Sequence, residues 1–203
     1  MAIRAEADNG GDNRLRMGAC HDRAAEQVKD RMRRAAAALE AAAVPYAVCG
    51  GNAVAEWVGR ADAAAVRTTR DVDILLRRTD LPAAIAAMDA ANFVYGEAHG
   101  VSFFLDGPDA SPRDAVHVVF ANELVRPRDP AATPDVTESE SAGFFQVVGL
   151  EALVRMKLTA YRRKDQVHLL DMISVGHLDD AWPARLPSEL GARLRKLLDD
   201  PNG

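Results

Sequence analysis

The sequence predicts an α/β (α+β) fold: a mixed β-sheet flanked by helices, with a C-terminal helical extension. Three observations predict it. Short apolar runs suited to strands, at 44–49, 70–76, 115–120 and 143–148, are interleaved with segments of helical period. Clusters rich in Gly, Pro and Asp, such as Gly107-Pro108-Asp109, punctuate those runs. From Leu150 onward the strand pattern stops, and apolar residues recur only at helical spacing.

Taken in order, residues 1–20 are polar and without periodicity, which predicts a mobile tail. From Asp22 to Ala43, Ala25, Val28, Met32, Ala35, Leu39 and Ala42 recur at steps of three and four, so a helix packs one face on the core. Its charged residues, Arg31, Arg33 and Arg34 among them, read as a solvated face. Residues 44–49 read as a buried strand and 52–58 as the first turns of a helix, with Gly50-Gly51 at the junction. The missing side chains there let a phosphate approach backbone N–H groups at a helix N-terminus. Residues 59–68 read as an extended loop.

Arg70-Asp71-Val72-Asp73-Ile74-Leu75-Leu76 is the run with chemistry in it. On a strand, Asp71 and Asp73 project from the same face. Two adjacent carboxylates repel each other, and a cation between them relieves that repulsion. An oxygen-rich site of this kind suits Mg²⁺ bound together with nucleotide phosphates. The plainer reading is a solvated strand end.

Beyond it, Thr79-Asp80-Leu81-Pro82 opens a helix to about Ala91. Residues 93–95 and 101–105 read as strands paired across a turn at Gly100. Residues 115–120 form an apolar strand, 123–141 a loop and 143–148 a last strand. Helices follow at 150–161, 165–176 and 188–199. The expected division is a tail at 1–20, a core at 21–149 and a helical segment at 150–203 packed on that core.

Composition limits the function classes. The chain of 203 residues is 48% hydrophobic and fits one medium domain. Its net charge of −5 argues against bulk electrostatic binding to nucleic acid. A local basic patch at Arg155, Arg162, Arg163 and Lys164 leaves an RNA acceptor possible. Cys20 and Cys49 have no metal-ligand spacing. No apolar run approaches the ~18–20 residues that cross a bilayer, and the N-terminus lacks a signal-peptide core, so a cytoplasmic protein is expected with no membrane partner.

Strand, Gly-Gly, helix, then a strand carrying D-x-D resembles the signature of the DNA polymerase beta-like nucleotidyltransferase superfamily. The likeness is to its small bacterial members, the minimal nucleotidyltransferases and abortive-infection toxins. Gly50, Gly51, Asn52, Ala53, Thr69, Arg70, Asp71 and Asp73 carry it. The connection from Gly51 to Asp71 is longer than the common spacing. A second, weaker likeness lies in Lys157, Ala160, Lys164 and Asp165, which resemble the K-x-x-A and R/K-D segment of the toxins; where those families place a further Asp, this chain has His168, with Asp171 one turn later.

The resemblance implies a nucleotidyltransferase fold and transfer of a nucleoside monophosphate from NTP·Mg²⁺ (or Mn²⁺) to a hydroxyl on RNA, protein or a small molecule. It implies metal at Asp71 and Asp73. It implies nucleotide contacts at Gly50, Gly51, Asn52, Arg70, Lys164 and Asp165. A third carboxylate is expected on the 115–120 strand, where the in-strand polar residue is His117. Asp114, at its entrance, is the nearest carboxylate, and Asp106 a weaker candidate. His117 could ligate a metal, act as a base, or be satisfied by a neighbouring backbone group. Lys157 shares a helix face with Leu150, Val154 and Tyr161, so its ammonium needs an anion, either triphosphate or the Asp71/Asp73 site. His168 and Asp171 are spaced to hydrogen-bond. The alternative function is an inactive nucleotide-binding or antitoxin-like regulator of the same fold. A homodimer or a toxin–antitoxin partner is compatible with either, and a dimerising scaffold that binds no nucleotide is a third reading.

Overall fold

The structure, a computed structural model, describes residues 10–111 and 114–200, with side chains described from residue 24 onward. Helix α1 (Gly10–Ala41) is followed by β1 (Tyr46–Cys49), α2 (Gly50–Ala61), β2 (Val72–Leu76), α3 (Leu81–Ala90), β3 (Val94–Ala98) and β4 (Val101–Leu105). Then come β5 (Val116–Phe120), β6 (Ser139–Ser141), β7 (Gln146–Val148), α4 (Leu150–Ala160), α5 (Arg163–Ser174) and α6 (Ser188–Asp199).

The seven strands form one mixed sheet in the order β3-β4-β5-β2-β1-β7-β6. β2 runs parallel to β5 and antiparallel to β1, while β7 runs parallel to β1. The central strands β1 and β2 are buried almost throughout, as their apolar runs require. Helices α1 and α3 pack together on one side of β2 and β5; α2, α4 and α5 pack together on the other. α6 closes the outside with Leu190, Leu194 and Leu197 buried. One apolar cluster joins residues from α1 to α6, so the C-terminal helices share the core of the sheet.

Several expectations need correction. Helix α1 starts at Gly10 rather than near Asp22, so part of the expected tail has a helical backbone; residues 1–9 lie outside the described residues. No proline interrupts 10–41, and extending a formed helix is far cheaper than starting one. Arg31 is not on a solvated face: it is 5% exposed and ion-paired to Asp106. The loop expected at 59–68 is shorter, because α2 continues to Ala61 and Ala63–Ala65 form a 3₁₀ turn capped by Asp62. The loop expected at 123–141 ends in β6, which pairs with β7. The β3–β4 pair turns through His99 and Gly100, both at positive φ, as a tight hairpin needs.

Candidate active site

The site forms where the C-terminal end of β1 meets the N-terminal end of β2. Register places Cys49 opposite Asp73, and Asp73 opposite His117 on β5. Residues paired across parallel strands point to the same face, so Asp73 and His117 stand side by side beneath α2, α4 and α5. Asp71 lies just before β2 and is half exposed.

Gly50 begins α2 at φ +66, and a Cβ there would come within 1.9 Å of Asp73 Oδ2. At Gly51 a Cβ would meet the Thr69 hydroxyl oxygen at 2.9 Å. Gly50 therefore lets the first turn of α2 sit against the D-x-D strand, and Gly51 lets it pack closely on Thr69. Cys49 caps that helix with no side-chain hydrogen bond, and the Gly-Gly turn faces the cleft. Asn52 donates its side-chain amide to the Asp71 backbone carbonyl at 2.8 Å, so it holds the strand entrance in place.

A cleft of about 560 Å³ opens over this corner, with Gly50, Asp71, Asp73, His117, Lys157 and Lys164 among the residues around it. The Asp73 carboxylate makes no hydrogen bond or ion pair among the described residues, and burial raises it above the usual range against the pull of Lys157 and His117. Lys164 Nζ donates to Asp71 Oδ2 at 3.2 Å across the mouth of the cleft. His117 has no hydrogen-bond partner among the described residues, so it is not the backbone-satisfied histidine that the plainer reading allowed.

Lys157 is 6% exposed on α4, as its apolar stripe predicts, but its nearest anion is neither Asp71 nor Asp73. Its Nζ donates to Asp165 Oδ1 at 3.4 Å. Asp165 is 1% exposed and also accepts from the Arg162 backbone N–H and Nε, closing a capping box at the start of α5. Burial alone would raise Asp165, but Arg162 and Lys157 outweigh it and hold the carboxylate below its ordinary range. Burial lowers the Lys157 ammonium, with Asp165 and Asp73 opposing. Asp165 thus acts from within the protein, fixing Lys157 rather than facing the cleft alone.

Neither candidate for a third carboxylate joins the site. Asp114 pairs with Arg31 at 3.6 Å, and Asp106 pairs with Arg31 at 3.2 Å and Arg34 at 2.7 Å, all on the α1 side of the sheet. Arg70 lines a smaller adjoining chamber rather than the main cleft. The expected bond between His168 and Asp171 is absent, because Asp171 is taken by Arg67 Nε at 2.9 Å. Sequence reading missed Arg67 and Arg162 as partners, and neither had a local signal beyond the abundance of arginine.

The donor set bears on Mg²⁺. No cluster of three or more His, Cys, Asp or Glu forms a ready metal site among the described residues. A metal held by one or two carboxylates and completed by substrate phosphates needs only what Asp71 and Asp73 offer. Asp73, half-buried and unpartnered, fits such a cation.

No protein-family model matches the chain, and no curated protein sequence does. Solved structures do match. ANT(2'')-Ia in complex with adenylyl-2''-tobramycin aligns at a TM-score of 0.54 and 16% identity, over 82% of this chain and 96% of that one. A nucleotidyltransferase-like antigenic protein from Paracoccidioides brasiliensis aligns at 0.56 and 17%, over 86% and 88%. JHP933 from Helicobacter pylori aligns at 0.51 and 13%, over 88% and 75%. The chain has a nucleotidyltransferase-like fold. No helix among the described residues is long and apolar enough to cross a membrane.

Proposed function

We propose that the protein transfers a nucleoside monophosphate from an NTP·Mg²⁺ complex to a hydroxyl, releasing pyrophosphate. The observation that carries this reading is Asp73: an unpartnered carboxylate beside Gly50 and His117, at the open first turn of α2. The neighbour whose structure holds an adenylylated acceptor supports it through the shared fold.

In this reading the Gly50-Gly51 turn seats phosphate oxygens on backbone N–H groups. Asp71 and Asp73 would hold Mg²⁺ or Mn²⁺, which supplies charge neutralisation on the phosphates. Lys164 leaves Asp71 for the phosphates as the nucleotide arrives, and Lys157 contributes positive charge from beneath. The acceptor oxygen attacks the α-phosphorus, a new P–O bond forms, and the bond to the pyrophosphate oxygen breaks. His117 takes the hydroxyl proton, in the place where Asp106 and Asp114 are unavailable.

The test is to incubate pure protein with each labelled NTP, Mg²⁺ or Mn²⁺, and pooled RNA, protein and small-molecule acceptors. Pyrophosphate release that disappears in Asp73→Asn supports the transferase. His117, at the β5 position beside Asp73 where the resemblance expects a carboxylate, favours a second reading, an inactive nucleotide-binding or antitoxin-like regulator. NTP binding that depends on Asp73 but gives no turnover with any acceptor would establish that second reading instead.

A further inference from the structure

Behind the Lys164–Asp71 bridge lies the smaller chamber, about 380 Å³, between α2, the 65–71 segment and α5. Gly51, Asp71 and Lys164 line both spaces, so chamber and cleft share one wall. The long connection from Gly51 to Asp71 builds the chamber's outer side. Val54, Val58 and Val167 give it an apolar surface.

Its polar groups are unevenly matched. Arg67 is paired with Asp171, and Lys164 with Asp71. Arg70 has neither ion pair nor hydrogen bond among the described residues. His168 is 9% exposed and makes no hydrogen bond there either, with Nδ1 sealed from solvent and unpartnered. A buried polar atom left without a partner lowers stability; because Nδ1 is sealed, a ligand in the chamber meets the ring at its other nitrogen, Nε2. Burial, with the charges of Lys157 and Lys164, pushes His168 down to about 4, so its ring is neutral at pH 7 and offers one donor and one acceptor. A neutral imidazole suits a hydroxyl, and an unmatched guanidinium suits a carboxylate or phosphate.

We propose that this chamber binds a small hydroxyl-bearing acceptor carrying one carboxylate or phosphate, with the anion on Arg70 and a hydroxyl on His168. The role as acceptor site rests on the nucleotidyl-transfer reading; the binding site itself does not. The volume, at the small end of the ~300–1,000 Å³ range of small-molecule pockets, calls for a metabolite-sized occupant. A polycationic acceptor is disfavoured, because the cations around the chamber, Arg67, Arg70 and Lys164, outnumber its carboxylates, Asp71 and Asp171. Asp71 lines both spaces, so an occupant of the chamber borders the cleft.

The test uses glucose 6-phosphate, gluconate and glucose as probes, read by calorimetry and by the ring ¹⁵N signals of labelled histidine. Both anionic probes should bind and shift the His168 signals, and glucose should bind far more weakly. Arg70→Gln should weaken the anionic probes by about tenfold or more, the value of a charge-assisted contact. His168→Leu should weaken them while raising the melting temperature, which a structural histidine would lower. Asp73→Asn should remove NTP binding and spare probe binding. Failure of both anionic probes to move His168, indifference to Arg70→Gln, or a shift produced only by an RNA oligonucleotide would each overturn the proposal. Probe binding without NTP turnover keeps this site and removes the transferase; NTP turnover with probe binding indifferent to Arg70 and His168 does the reverse.

Discussion

Two pairs of aspartates occupy opposite faces of the sheet, and the protein treats them differently. Asp106 and Asp114 lie against α1, where Arg31 and Arg34 meet them at 2.7–3.6 Å. Asp71 and Asp73 lie under α2 and α5, where Asp71 has one exposed lysine and Asp73 has no direct partner. Charges matched with guanidinium serve the fold, since a buried charge without a counter-charge is costly. A carboxylate left unmatched is a cost that a bound cation can remove. The difference separates carboxylates that serve the fold from those the proposed function would use, without reference to motif.

Asp73→Asn should break the comparison most severely. Nucleotide turnover should fall about a thousandfold or more, as several kcal/mol of charge stabilisation is lost. The apo protein should become more stable. The carboxyl sits above its unfolded value, so its contribution to stability is greatest in acid and is lost as pH rises through the raised folded pKa. At neutral pH the amide escapes that loss. Paired melting curves and calorimetry with NTP·Mg²⁺ check both halves; equal nucleotide affinity in the variant would remove Asp73 from the site.

His117→Ala comes next. A general base contributes about 10²–10⁴-fold, so a loss of at least about tenfold in turnover is expected, with His117→Asp retaining or raising the rate. Lys157→Met should follow, weakening triphosphate binding about tenfold and monophosphate binding less, since a triphosphate brings more negative charge for the Lys157 ammonium to offset. The ratio of the two affinities is the readout, because it cancels any general loosening at Asp165.

Arg31→Met tests the opposite face. It should cost about 1–3 kcal/mol in urea unfolding, less than a fully broken buried pair because Asp106 keeps Arg34, while turnover per folded molecule stays level. The last test is confined to acid and concerns His168. Its folded pKa of about 4 lies below the ordinary 6.5, so stability is full above pH 6.5 and falls as pH drops toward 4. The difference in slope between wild type and His168→Leu should approach one proton in that window.

The sheet and its central corner were legible in the sequence because both depend on local pattern. Gly50-Gly51 between a strand and a helix, and D-x-D on an apolar run, each need only a few adjacent residues. The burial of Lys157 was legible for the same reason, from its place on the Leu150–Val154 stripe. Its partner was not. The choice among Asp71, Asp73 and Asp165 depends on how α5 turns back after Tyr161, which takes a left-handed φ of 46. Asp114 could not be excluded from sequence either: its partner Arg31 is remote in the chain, and tertiary packing alone brings them together. The orphaned ring of His168 was hidden likewise, since Asp171, the neighbour its spacing suggested, is claimed by Arg67.

The bridge between Lys164 and Asp71 has a consequence for ionic strength. Both side chains are about half exposed, at 57% and 47%, so dissolved salt screens their attraction within the ~8–10 Å Debye length of ordinary buffers. Salt therefore loosens the contact that competes with an incoming cation at Asp71, and also the contact that Lys164 would make with phosphate. The two effects oppose each other. Nucleotide affinity should respond to added salt more weakly than the number of cationic groups around the cleft implies, because one of them exchanges an internal anion for an external one.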